Sequence, residues 1–122
     1  RNLNLYNSNI SDISFLAGLS NLELLYIHDN NISDISALAG LVNLERLYLN
    51  TNNISDISAL AGLTNLETLN LRYNNISDIS ALVNNAGLAG GDTVDLRDNP
   101  LSTGSMNVFI PQLMAKGVTV SY

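Results

Sequence analysis

The chain has 122 residues, of which 46% are hydrophobic, and a formal net charge of −6. This length suits one compact domain, the absence of cysteine excludes disulfides and thiolate chemistry, and no apolar run approaches the roughly 20 residues that span a bilayer. With only five basic residues, the chain lacks the clustered Lys and Arg that nucleic-acid binding requires. We therefore expect neither a nucleic-acid partner nor membrane insertion.

An internal repeat with a period of 22 residues organises most of the chain. The segment NNISDISALAGL starts at Asn30 and again at Asn52, and a nearly complete third copy starts at Asn74. Ser8 and Asn99 hold the equivalent position in the first and last copies. Each unit contains the pattern L-x-L-x-x-N-x-I/L, whose alternation of apolar and polar residues predicts a short, half-buried strand. The asparagine follows that strand, where its amide can satisfy backbone groups exposed by the bend into the core.

The segment SDISALAGL follows the strand and predicts a single helical turn that ends at a glycine. These glycines are Gly18, Gly40, Gly62 and Gly87. An aspartate column just before the turns comprises Asp12, Asp34, Asp56 and Asp78. Aspartates in this position can cap free N–H groups, an interpretation that we favour over a calcium site. A glutamate column, interpreted as a solvated face, comprises Glu23, Glu45 and Glu67.

The repeat stops at Ser102, and the last residues differ in pattern from the rest of the chain. Apolar residues at helical spacing predict an amphipathic helix that ends at Gly117, with a kink or break near Pro111. Its apolar face comprises Met106, Phe109, Ile110, Leu113 and Met114. The final VTVSY predicts a strand with Val118 and Val120 facing inward. We therefore divide the chain into repeats at 1–101 and a cap at 102–122, because an uncapped last coil would expose its core.

At the other end, the chain begins directly with a strand that places Leu3 and Leu5 in core positions. Nothing upstream covers these residues or the backbone edge beside them. We expect further repeats before residue 1, with end-to-end packing on another molecule as the alternative.

The period, the asparagine after the strand and the segment NISDISALAGLTNLE together resemble the bacterial internalin-like class of leucine-rich repeat proteins. The resemblance implies an α/β solenoid, a right-handed coil with a concave parallel β-sheet, 3₁₀ turns on the convex side and a C-terminal helix-strand cap. It also implies a bacterial protein that is secreted or attached to the cell surface. Repeats of this kind specify a fold much more closely than they specify a partner.

Positions that differ between the copies lie in and just after each strand, where side chains alternate with the inward pair and point to the concave face. Tyrosine and arginine, the residue types that most often anchor protein interfaces, are concentrated there. We predict that this face binds a protein, or alternatively a glycan. The predicted contact residues are Tyr26, His28, Arg46, Tyr48, Asn50, Asn70, Arg72 and Tyr73.

Other interpretations of the same residues remain open. Tyr26 and Tyr48 can be a simple cross-strand aromatic pair, and Arg72 can serve only to balance nearby acidic residues. The whole chain can instead be a structural spacer or a self-assembling segment that stacks through its N-terminal edge. No catalytic, cofactor or metal motif is recognisable, and His28 is expected to be an ordinary exposed residue. We therefore predict a protein that is not an enzyme.

Overall fold

A computed structural model describes all residues from Arg1 to Tyr122. Its six strands, β1 to β6, form one parallel sheet in which each strand neighbours the next in chain order. The strands are Asn2–Asn4, Leu24–Tyr26, Arg46–Tyr48, Thr68–Asn70, Thr93–Asp95 and Thr119–Ser121. Because consecutive parallel strands are joined by a crossover on one side of the sheet, the chain winds as a solenoid. The predicted fold class is confirmed.

The register of the sheet follows the sequence repeat. Leu25 lies opposite Leu47, and Leu47 lies opposite Leu69. These three central strand residues are buried, as are the apolar residues two positions further along the chain, such as Leu49 and Leu71. The alternating pattern in the sequence therefore identified the inward side of each strand correctly.

Each of the first three coils closes opposite the sheet with one 3₁₀ turn, and the fourth with the short helix α1, Ser80–Val83. The 3₁₀ turns are Ser14–Leu16, Ser36–Leu38 and Ser58–Leu60. Their formation agrees with the single helical turns predicted from the sequence.

The 3₁₀ turns end at Gly18, Gly40 and Gly62 as predicted, but only Gly18 has a left-handed backbone. Ala17 has ψ 130° and Gly18 has φ +89°, the backbone of a type II turn, which needs a residue with positive φ. In the next coil Ala39 has ψ −30° and remains right-handed. The chain therefore leaves the turn through Gly40 without entering the left-handed region.

Gly87 has a different function from the one predicted, because it lies beyond the end of α1. A Cβ atom at this position would clash with the backbone oxygen of Thr64 in the preceding coil. Glycine is therefore required here for the close approach of two coils and not for the closure of a turn.

The C-terminal helix consists of a π-helical stretch, Ser105–Phe109, followed by α2, Ile110–Ala115. The N–H of Ile110 donates to the carbonyl of Ser105, five residues earlier. The irregularity lies directly before Pro111, which cannot donate to the carbonyl four residues before it. The kink or break predicted near this proline corresponds to the change from π to α geometry.

The apolar face predicted for this helix is only partly correct. Ile110 and Leu113 are buried, but Met106 and Met114 are exposed by 43% and 52%. The wider π turn changes which residues share a face, so that Ser105 is buried in place of Met106. The helix ends at Gly117, with φ +91°, and the strand β6 follows within the segment proposed as a cap.

Candidate recognition surface

The concave face is formed by the strand side chains that alternate with the buried ones, together with the residues that follow each strand. The sheet register places them in columns, with Leu24 opposite Arg46 and Tyr26 opposite Tyr48. Beyond β3 the same columns continue with Thr68 and Asn70. All eight predicted contact residues lie on this face or on its rim, but they form two separate groups.

An asparagine in each coil fixes the geometry of the strand ends. The Asn74 side-chain oxygen accepts a hydrogen bond from the N–H of Ile54 at 3.0 Å, and its nitrogen donates to the carbonyls of Leu49 and Leu71 at 3.1 and 3.0 Å. Asn30, Asn52 and Asn99 make the equivalent bonds. The structural role predicted for this column is confirmed.

The residue before each of these asparagines, and before Ser8 at the equivalent position of the first coil, has a left-handed backbone. This left-handed column comprises Asn7, Asp29, Thr51, Tyr73 and Asp98, with φ between +52° and +61°. Asparagine and aspartate adopt this conformation at low cost, whereas threonine and tyrosine rarely do. The sequence contained a signal for it, since three of the five positions are Asn or Asp, but the conformation was not predicted.

A continuous row of aromatic rings crosses the first three strands. Tyr6 stacks on His28 with ring centroids 5.1 Å apart, and His28 meets Tyr26 edge to face at 6.0 Å. Tyr26 stacks on Tyr48 at 4.8 Å with an interplanar angle of 20°. The aromatic pair considered from the sequence is therefore present, and Tyr6, which was not among the predicted contact residues, extends it.

His28 was predicted to be an ordinary exposed residue, but only 23% of its side chain is accessible. Packing between Tyr6 and Tyr26 accounts for this burial. Its Nδ1 atom is buried without a hydrogen-bond partner, and its Nε2 atom lies 3.8 Å from a carboxylate oxygen of Asp29.

The C-terminal half of the concave face is occupied by internal ion pairs. Arg72 Nε lies 2.7 Å from Asp98 Oδ2, and the Arg72 guanidinium lies 4.7 Å from the ring centroid of Tyr73. Arg97 donates to both oxygens of Asp95, at 3.0 and 2.7 Å. The hydrogen bonds from Arg97 lower the pKa of Asp95, so the predicted balance of charge is present.

The remaining predicted contact residues are Asn50, Asn70 and Arg46. Asn50 is half-buried in the column that contains His28. Asn70 accepts a hydrogen bond from the N–H of Arg72 at 3.1 Å through its side-chain oxygen. Arg46 is exposed beside the tyrosine pair. The structure thus brings Tyr26, His28, Arg46 and Tyr48 together, and places Arg72 with Tyr73 further along the sheet.

The aspartate column lies away from the concave face. The Asp34 carboxylate accepts a hydrogen bond from the N–H of Ser36 at 2.9 Å, and this bond, with a further one from the Ser36 hydroxyl, lowers the pKa of Asp34. Asp12, Asp56 and Asp78 behave in the same way. The predicted capping is confirmed, and no group of three or more His, Cys, Asp or Glu residues is placed to hold a metal.

The parallel sheet, the asparagine column and the one-turn helices define a leucine-rich repeat solenoid. A sequence model described as leucine rich repeats (2 copies) matches residues 1–40, 20–62 and 42–84. The chain belongs to the leucine-rich repeat family. None of its helices has the length and apolar character needed to cross a membrane.

Solved structures with a similar fold include bacterial internalins. Internalin C2 of Listeria monocytogenes is 38% identical with a TM-score of 0.79, and the match covers 99% of this chain and 51% of that chain. Another internalin of that organism, inlF, is 37% identical with a TM-score of 0.78, covering 93% of this chain and 34% of that chain. The chain therefore spans about half and about a third of these proteins, and the internalin-like resemblance is confirmed.

A leucine-rich repeat protein of Leptospira interrogans has a TM-score of 0.83 at 22% identity, and the match covers 98% of this chain and 30% of that chain. At this identity the similarity concerns the fold alone. A comparison with curated proteins found no significant match.

Proposed function

We propose that this chain is a non-catalytic recognition module that binds a protein partner through its concave face. The row of rings from Tyr6 to Tyr48 is the observation that carries the proposal. Tyrosine side chains offer a large contact area at a low cost in conformational entropy, and they anchor many protein interfaces. Leucine-rich repeat domains commonly serve as protein-interaction modules, which supports the same function.

The distribution of copied and varied residues also supports this function. Inward positions such as Leu47 and Leu69 are equivalent leucines because each must fit its counterparts in adjacent coils. Concave positions carry no such packing constraint, yet the N-terminal half of this face holds four rings in contact, two pairs stacked and one pair edge to face. A face that needed only to be solvated would not require aromatic side chains.

We also propose an extracellular or cell-surface location in a bacterium, since the similar solved structures include internalins of Listeria monocytogenes. A protein partner is favoured over a glycan, because the rings lie beside an exposed arginine and a half-exposed leucine, Arg46 and Leu24. Mixed apolar, aromatic and guanidinium groups are typical of protein interfaces.

The test compares the double variant Tyr26→Ala/Tyr48→Ala with the control Phe15→Ala. Phe15 is an exposed aromatic residue in the first 3₁₀ turn, opposite the sheet, and alanine occupies its position in the following coils. We expect wild type and the control to retain the same proteins from a native extract, and the double variant to lose them.

Thermal unfolding must show that the double variant is folded, with each tyrosine substitution costing about 1 kcal/mol or less. Equal retention by all three proteins would contradict the proposed function. Defined filaments without partner retention would instead favour a structural spacer.

A further inference from the structure

One basic side chain, that of Arg46, has no partner within the chain. The chain has eleven acidic and five basic residues, so carboxylates are abundant. Arg46 nevertheless has no carboxylate within 4.0 Å and donates no hydrogen bond from its guanidinium. The other four basic side chains are engaged: Arg1 with Glu23, Arg72 with Asp98, Arg97 with Asp95, and Lys116 with the carbonyls of Val83 and Asn85.

The surroundings of Arg46 explain why it stays unpaired. It lies on β3, and its neighbours across the sheet are Leu24 and Thr68, neither of which is charged. Tyr48 follows on the same face of the strand, and its ring packs on Tyr26 rather than on a charged group. An exposed guanidinium therefore lies beside an apolar and aromatic surface, near the middle of the sheet.

We propose that Leu24, Tyr26, Arg46 and Tyr48, here called the arginine–tyrosine patch, bind an acidic side chain of the partner together with an adjacent apolar side chain. This inference rests on the proposed function of the concave face. The planar guanidinium can bind both oxygens of a carboxylate at once. The tyrosine rings and Leu24 provide the apolar contact beside it.

The C-terminal half of the face cannot offer the same contact. Arg72 and Arg97 already bind Asp98 and Asp95, so a carboxylate of the partner would have to displace an internal ion pair. Charge complementarity therefore directs an acidic segment to Arg46 and away from β4 and β5.

The net charge of −6 does not exclude this partner. At physiological ionic strength, interactions between exposed charges are largely screened beyond about 8 Å, whereas an ion pair forms in direct contact. The acidic columns of the chain lie outside the strands, and none of their carboxylates lies within 4.0 Å of the Arg46 guanidinium.

The test uses a display library of random linear peptides, selected on the wild-type protein. We expect the selected peptides to be enriched in Asp or Glu next to a large apolar residue. Their affinity should fall about tenfold or more for Arg46→Gln, which corresponds to the loss of one charge-assisted contact. Arg1→Gln makes the same change of residue and charge at a side chain that is 80% exposed, and it should bind like wild type.

Charge reversal gives a second readout. Arg46→Glu should lose the selected peptides and regain binding when the acidic residue of the peptide is replaced by lysine. The proposal is overturned if no peptide is selected, if the selected peptides are not acidic, or if Arg46→Gln binds them as wild type does.

A third variant, Tyr48→Ala, separates this inference from the proposed function. Non-acidic peptides whose binding depends on Tyr48 but not on Arg46 would overturn the inference and leave concave-face binding intact. Peptides that depend on neither residue would count against both.

Discussion

The side-chain oxygen of Asn52 lies 3.0 Å from the backbone nitrogen of Ile32, which belongs to the preceding coil. The nitrogen of the same amide donates to the carbonyls of Ile27 and Leu49, at 3.1 and 3.0 Å. One buried side chain thus satisfies three backbone groups at the point where two adjacent coils leave the sheet. Hydrophobic residues at this position would leave those groups without partners.

We therefore predict that Asn52→Ala lowers the free energy of unfolding by about 3 kcal/mol or more, because each unsatisfied buried group costs about 1 to 3 kcal/mol. Denaturant unfolding measures the change. Asn53→Ala is the control, since Asn53 is exposed and its side chain makes no hydrogen bond, and its effect should stay within about 0.5 kcal/mol. Similar effects of the two substitutions would refute the structural role of the asparagine column.

The left-handed column predicts a substitution that stabilises the protein. Thr51 has φ +59° and an exposed side chain, and β-branched residues are strained in this region, whereas asparagine tolerates it. We expect Thr51→Asn to raise the free energy of unfolding by about 0.5 to 1 kcal/mol. The same change at Thr68, which has ordinary strand geometry in β4, should not stabilise. A loss of stability at residue 51 would argue against strain there.

The contact between coils at Gly87 predicts a large loss of stability. A Cβ atom would meet backbone atoms of Thr64 that cannot move independently of their coil. We expect Gly87→Ala to cost more than about 3 kcal/mol, above the usual range for overpacking. Gly62→Ala is the control, because a Cβ atom there meets nothing within 4 Å, and it should be neutral or stabilising by up to about 1 kcal/mol. Thermal unfolding of both variants provides the comparison.

The aspartate column predicts a loss of stability in acid. The pKa of Asp34 is lower in the folded protein than in the unfolded chain, because the N–H and hydroxyl of Ser36 stabilise its carboxylate. Its contribution is therefore complete above the unfolded pKa, about 3.9, and disappears as the pH falls through the lower folded pKa. We expect denaturation midpoints to decrease as the pH is lowered below about 4.

Two variants test the origin of this acid sensitivity. Asp34→Asn keeps a side-chain oxygen for the N–H of Ser36 but does not titrate, so its midpoint should depend less on pH than that of wild type. Asp56→Asn makes the same change in the next coil, where the Asp56 carboxylate accepts a hydrogen bond from the N–H of Ser58 at 2.9 Å that lowers its pKa, and it should reduce the slope in the same direction. Identical slopes for Asp34→Asn and wild type would show that this carboxylate does not contribute.

The sequence predicted the architecture well because the repeat encodes contacts between equivalent positions. Leu47 in one coil and Leu69 in the next are adjacent in the fold for the same reason that they are 22 residues apart in the chain. The bonds of the asparagine column followed from the same logic, since every coil bends into the core at the same place.

Features that depend on local backbone geometry were harder to predict from the sequence. The exposure of Met106 arises from a π turn, which a spacing rule for α-helices does not include. Tyr73 has a left-handed backbone, which tyrosine rarely adopts. The burial of His28 depends on the Tyr6 ring of the preceding coil and on the Tyr26 ring of its own coil. The contact residues themselves stay a prediction, because a binding surface is defined by a second molecule.

Each coil contributes one strand to the sheet, and the strands pair in chain order. The distance across the concave face therefore increases by one constant step with each coil. Neighbouring strands are about 4.8 Å apart whatever side chains they carry. Insertion of one further repeat between the coils of β3 and β4 would move Tyr73 away from Tyr48 by one such step and leave every inward contact type unchanged. Proteins built on this plan can therefore alter the distance between two contact groups by whole steps, independently of the chemistry of either group.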